Sequence, residues 1–295
     1  MTASLFLTKL QATKKAILKI FSTNRSAAQR ALENETSEYW LRKSQAELAN
    51  TAAALHRQRR EAEEERYARE VELTRATFSD IFIKGTGLEV GAGSRPFPLP
   101  PGVKCFYGDK RDAQSLEKYF GDNKFIPDGT RIDAQSFQGI EEESLDFVIS
   151  AHVIEHLEDP IGSIRNAIQC LKPGGIHLLV VPDRRHTFDR DRPGTPLSHV
   201  IQDAADGGKS TKAQAYEEHC RYIHTQWNPP IAEKELESTI QRLIEANFDT
   251  HFHCWTGDEF AQLLEYALSD RQAEVVGRRF IHNENIFAIK KAPPF

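Results

Sequence analysis

The sequence predicts an α/β domain built on a largely parallel sheet, carried behind a long helical extension and interrupted by one long insertion. Three observations predict it. Glycine and proline are absent from residues 1–84 and recur from Gly85 onward, and a stretch without either breaker is helical. Short apolar runs alternate with helical stretches between residues 87 and 182, the pattern of strands joined by crossover helices. A charged, proline-containing segment, 183–255, then precedes a closing helix and two strands. The chain is therefore divided into an extension, 1–78, and an α/β domain, 79–295, with 183–255 as its insertion.

Composition narrows the classes. With 38 basic and 43 acidic residues among 295, the net charge is −5, which gives no reason to expect nucleic acid. No apolar run approaches the roughly 18 residues of a membrane span. Cys105, Cys170, Cys220 and Cys254 lie far apart without a CxxC pair. A zinc ribbon or disulfide scaffold is not expected, and a reducing, cytoplasmic location is.

The extension has two parts. Residues 1–32 carry Lys9, Lys14, Lys15, Lys19, Arg25 and Arg30 and no acid. Leu7, Leu10, Ile17, Leu18 and Phe21 gather on one side of a helix. A basic amphipathic helix of this kind can lie on an anionic membrane surface, or dock on a protein. Its lysines break the apolar run, so it does not read as a secretory signal. Residues 36–78 are rich in Ala, Glu and Arg, with i,i+4 pairs such as Arg59–Glu63 and Glu65–Arg69 that support a solvated helix. Leu41, Leu48 and Leu55 are spaced by heptads, but Ala62 and Arg69 end the seam. A largely solvated helix is the reading, with a homodimer through a short coiled contact at the leucines as one arrangement it allows.

In the domain, Gly87 to Val90 reads as a buried strand running into the glycine turn Gly91-Ala92-Gly93. Such glycines permit positive φ and close approach of the backbone to a ligand. Val103 to Tyr107 reads as the second strand, with Asp109 after it. An acid roughly 20 residues beyond a glycine turn is placed to hold ribose hydroxyls. Leu145 to Ser150 is a strand, followed by His152-Val153-Ile154-Glu155-His156. A helix over Pro160–Leu171, a turn at Lys172-Pro173-Gly174-Gly175 and a strand over Ile176–Val181 complete the series. Pro96, Pro98, Pro100 and Pro101 leave no room for a helix between the first two strands. A proline-stiffened link is expected there, with the extension covering that sheet face. Pro96 also stands where a G-x-G-x-x-G nucleotide loop would carry its third glycine, which argues against NAD.

These blocks, LEVGAG, the acid of YGD, IDA, LDFVISAHVIEHLEDP and LKPGGIHLLVVP, resemble class I S-adenosylmethionine-dependent methyltransferases of the type 11 subgroup over residues 87–182. The resemblance implies a Rossmann-like sheet and S-adenosylmethionine as cofactor. It implies that Glu89, Gly91, Ala92 and Gly93 line the methionine side and that Asp109 holds the ribose. Asp133 and Ala134 would sit at the adenine, and Ala151 and His152 at the sulfonium. The string VPDRRHTFDRDRPGTPLSHVIQDA and the later HFHCWT resemble a narrower bacterial subgroup found beside or fused to glycosyltransferases. That implies a glycan or other small acceptor and a glycosyltransferase partner.

Insertions at the C-terminal ends of parallel strands overlie the ligand crevice, so 183–255 is read as a helical lid that selects the acceptor. A sugar hydroxyl must lose its proton, and Asp189, Asp191 and His199 are the expected bases. Arg185, His186, Arg192 and His253 are the expected acceptor contacts. The mixed His and Asp spacing matches no zinc pattern, and no metal is expected. Methyl transfer from S-adenosylmethionine to an acceptor oxygen is the expected reaction. A catalytically degenerate scaffold, recruited by its helical arm, is the alternative.

Overall fold

The computed structural model describes residues 27–121, 129–269 and 273–293, with side chains from residue 35 onward. The basic segment assigned to residues 1–32 therefore lies, over 1–26, outside the described residues. The chain forms two compact units, Met1–Arg66 and Tyr67–Phe295. Helix α1, Ala27–Phe82, lies in the first unit up to Arg66 and in the second from Tyr67. From Glu35 to Arg66 it is exposed on all sides, and Leu41, Leu48 and Leu55 all face solvent. Breaker-free sequence and opposite charges one turn apart, such as Arg42 and Glu38 at 3.6 Å, suit such a helix. Among the described residues, no helix is long and apolar enough to cross a membrane.

The second unit is the expected α/β sheet. Its strands are β1 (Thr86–Val90), β2 (Lys104–Asp109), β3 (Thr130–Arg131), β4 (Leu145–Ala151), β5 (Leu171–Pro182), β6 (Ala273–Ile281) and β7 (Glu284–Lys291). They lie in the order β3-β2-β1-β4-β5-β7-β6. Strands β1 to β5 are parallel, and β7 runs antiparallel to both β5 and β6. Alternation of side chains sends Phe147, Ile149, Leu178, Val180, Ile286 and Ala288 to one face and Leu179, Val181, Phe287 and Ile289 to the other. Both faces are covered, which explains the unbroken apolar runs of β4, β5 and β7.

The second face packs on α3 (Pro160–Cys170), through Ile161, Ile164 and Ile168, and on α7 (Gly257–Leu268), through Leu263, Leu264 and Ala267. Thr256 caps α7 with a reciprocal bond pair to Glu259, which satisfies free amides at the helix start. The first face has no helix from the β1–β2 link. The proline segment instead lays Phe97 and Leu99 on it, beside Phe78 and Phe82 from the end of α1. Helix α2 (Ala113–Phe120) follows β2.

One predicted turn is corrected. Lys172-Pro173-Gly174-Gly175 is part of β5, which begins directly at Leu171. Gly174 takes φ +80°, and the pairing with β4 shifts register between Leu145 and Phe147. A bulge thus absorbs the residues that a free turn would have held.

The insertion leaves the C-terminal end of β5 and returns at α7. A parallel bridge between Asp183 and Trp255 ties its two ends together. Between them lie 3₁₀ turns at Arg184–His186 and Phe188–Asp191, helices α4 (Leu197–Asp206) and α5 (Lys212–Glu218), a π turn at His219–Ile223, and α6 (Glu233–Glu245).

Candidate active site

Strand order reverses between β1 and β4, because the chain returns to the middle of the sheet after β3. Ligands of open α/β sheets bind outside the carboxyl ends of strands at such a point. Register brings three chain ends together there. Val90 pairs with Gly108 and with Ser150, and the Gly91 amide donates to the Gly108 carbonyl at 2.8 Å. Gly91, Asp109 and His152 therefore emerge side by side.

They border a cavity with about 220 Å³ open to the centre of a water molecule, lined also by Gly93, Ala134, Val153 and His156. Gly91 has φ +69°, and a Cβ on it would stand 2.4 Å from Val153 Cγ2. Gly93 has φ +54°, and its Cβ would meet Phe120 at 2.7 Å. Both positions need glycine for conformation and for space. Asp109 accepts the Arg111 amide at 2.9 Å through Oδ1, which orients the carboxylate. Glycine walls and a carboxylate, with no anion-binding helix terminus required, fit an uncharged ribose and a cationic sulfonium.

Of the expected cofactor residues, Gly91, Gly93, Asp109, Ala134 and His152 line this cavity. Ala92 lines a smaller adjoining recess with Gly93 and Asp109. Three stand apart. Ala151 packs into the sheet core. Asp133 closes a local turn by accepting from the Gln135 amide at 3.0 Å and the Ser136 hydroxyl at 2.9 Å. Glu89 is 1% exposed, and both its oxygens lie 3.0 Å from the Phe97 amide. It anchors the proline link rather than the cavity wall.

Burial pushes the Glu89 carboxyl up from 4.5 to about 7, against the Phe97 amide and Arg75. A carboxyl that holds its proton more tightly when folded stabilises the fold most below its ordinary pKa. That contribution is lost as pH rises through about 7. Glu89→Gln keeps an acceptor for Phe97 and removes the titration. It is expected to gain stability over wild type between pH 5 and pH 8, by at most about 3 kcal/mol. Thermal melts of both proteins across that range check it; parallel curves would contradict it.

The residues expected to carry acceptor chemistry are placed differently, and none lines the cavity. Arg192 is corrected from an acceptor contact to a buried strut. Its side chain is fully buried, 2.8 Å from Asp189 and 2.9 Å from Glu218, and it donates to the carbonyls of His251 and Phe252. Asp189 is buried too, held below the usual carboxylate range despite burial because His251 and Arg192 bond to it. Asp191 is exposed and faces Arg190, at 3.7 Å. His199 lies 3.4 Å from the buried Asp203. Arg185 folds back onto Asp183 at 2.7 Å. His186 is exposed near Phe280. His253 is buried against Trp255.

Other groups line the cavity, or hold the side chains that do. His152 has φ +56°, an uncommon conformation for a residue with a side chain, and its Nε2 lies 2.9 Å from Glu284 of β7. Glu284 is gripped by Arg75 of α1 through Nε and Nη2. Burial opposes its charge, but the bonds from His152 and Arg75 hold its pKa at about 2. His156 Nδ1 lies 3.1 Å from Asp249 of the lid. Asp249 also pairs with Lys110 and Arg111 beyond β2. Burial lowers the pKa of His156, but Asp249 and Glu155 outweigh it and raise it overall. The ion pairs tie the insertion to the segments that follow β2 and β4.

A family described as methyltransferase domain matches residues 55–267, and the chain belongs to it. S-adenosylmethionine is the cofactor that follows. No curated protein sequence matches the chain. Among solved structures it is similar to an S-adenosylmethionine-dependent methyltransferase of Thermotoga maritima, at 17% identity over 77% of this chain and 90% of that one, TM-score 0.42. It is also similar to one from Methanosarcina mazei, at 16% identity over 73% and 97%, TM-score 0.42.

Proposed function

We propose that the chain methylates an oxygen of a small or glycan acceptor, with the cavity at the β1–β4 switch point as the donor site. The observation that carries this reading is the convergence of Gly91, Gly93, Asp109 and His152 on one hollow under a charged lid. Gly91 and Gly93 admit the donor's amino-acid end. Asp109 accepts from the ribose hydroxyls, and Ala134 borders the base. Bound there, S-adenosylmethionine supplies an electrophilic methyl group on a sulfonium.

His152 is assigned the acceptor's proton. Its ring is aimed by Glu284, itself fixed by Arg75, and it stands at the cavity wall. It takes the hydroxyl proton as the new C–O bond forms and the C–S bond breaks, leaving S-adenosylhomocysteine. The lid salt bridges of Asp249 exclude water from the mouth, which favours the bound hydroxyl over competing solvent.

Titration calorimetry with S-adenosylmethionine tests the donor site. Asp109→Ala removes charged hydrogen bonds of about 1.5–3 kcal/mol, so affinity is expected to fall at least about tenfold. Absence of donor binding by the wild-type protein would favour the scaffold reading instead.

A further inference from the structure

Glu155 lies in the 3₁₀ turn Ile154–His156, one step beneath the cavity. It is 1% exposed, and neither carboxylate oxygen has a hydrogen-bond partner. An uncompensated buried carboxylate is costly by several kcal/mol, so the carboxylate calls for a cation. Imidazole nitrogens stand around it without reaching it. His152 Nδ1 is 3.7 Å from Oε1, and His251 Nε2 is 3.9 Å from the same oxygen. Those gaps exceed a hydrogen bond, and a shift of about 0.5 Å would bring His251 to the roughly 3.3 Å that separates two ligands on one tetrahedral ion.

One ligand atom each from Glu155, His156 and His251 lies within 4.8 Å of the other two. The far side of each imidazole is already held. His156 Nδ1 is at Asp249, 3.1 Å, and His251 Nδ1 is at Asp189, 2.6 Å. A carboxylate on the outer nitrogen is how proteins fix the tautomer and aim of a metal-binding histidine. The backbone locks the same arrangement, because the Glu155 carbonyl accepts the amides of Phe252 and His253 at 2.8 and 3.2 Å. The segment carrying His251 is thereby pinned to the turn carrying Glu155.

We propose that Glu155, His156 and His251 bind one divalent transition-metal ion at the edge of the donor cavity. Two imidazoles and one carboxylate suit zinc, manganese, cobalt or iron(II) better than magnesium or calcium, which prefer all-oxygen shells. Three protein ligands leave open positions. His156 also lines the cavity, so those positions face the space beside the donor. There the ion takes hydroxyl oxygens of the acceptor and makes them more acidic. That role rests on the methyl-transfer reading; binding of the ion does not.

The test uses the full chain, dialysed against a chelator and titrated with zinc and cobalt(II) with neither donor nor acceptor present. Loss of methyl transfer and loss of metal binding are thus read separately. Wild type is expected to take one equivalent, with cobalt giving visible ligand-field bands. Glu155→Gln is nearly isosteric and is expected to weaken binding about a hundredfold and change the bands; His251→Ala is expected to do the same. Circular dichroism checks that both remain folded. Asp203→Asn, in the separate His199, Asp203, His253 cluster, is expected to bind like wild type. No saturable binding by wild type, unchanged binding in Glu155→Gln, or loss confined to Asp203→Asn would overturn the proposal.

Discussion

Gly91→Ala is expected to weaken S-adenosylmethionine binding by more than about tenfold while also lowering stability, and the two effects have separate origins. The backbone at φ +69° costs a residue with a Cβ about 1–2 kcal/mol. That part is conformational and local. The second part is steric, because the new methyl would stand 2.4 Å from Val153 Cγ2. Val153 lines the cavity proposed for the donor and follows His152, which is itself held at φ +56°. Relief requires Val153 to move into the donor's space or the glycine turn to shift off Asp109. Gly102→Ala separates the terms. Its φ is +86°, yet nothing lies within 4 Å of its Cβ, so it is expected to share the strain and leave donor affinity unchanged. Thermal unfolding and calorimetry on the two variants decide it. Equal donor affinity in both would show that the cavity is not the donor site.

What could be read from the chain follows the range of the interactions. The sheet was legible because its signals are local: Leu88 and Val90 before Gly91, and Phe147 to Ile149. The glycine cradle and Asp109 were legible because strand, turn and strand follow one another within a short stretch. Glu89 was harder. An acid at the end of the first strand suggests a ligand contact, but the proline link leaves the Phe97 amide without a helical partner. A buried amide must find an acceptor, and Glu89 is the one within reach. The contacts that hold His152 and His156 in the cavity wall were not legible. Arg75 meets Glu284 across 209 positions and His156 meets Asp249 across 93, and no spacing rule connects residues that only the folded sheet and lid bring together. The lid's charged string looked like an acceptor surface because arginine and aspartate carry the same letters when buried as when exposed.

Arg192 shows how much that distinction matters. Arg192→Met is expected to destabilise the chain by about 3–5 kcal/mol, the range for breaking a buried ion pair from one side. The substitution approximates the volume of the aliphatic stem but leaves Asp189 and Glu218 without their cation, and the carbonyls of His251 and Phe252 without donors. Asp189 would retain His251 as its strong partner, and the segment 251–253 would lose its inner tether. Asp191→Ala, one residue away but exposed and 3.7 Å from Arg190, is expected to stay within about 0.5 kcal/mol of wild type. An arginine that bound the acceptor would behave in the opposite way: its loss would raise KM and leave the melting temperature in place. Denaturant unfolding of Arg192→Met with Asp191→Ala alongside therefore separates a strut from a binding group. A stability unchanged in Arg192→Met would return this residue to the acceptor side and place the lid's anchorage elsewhere.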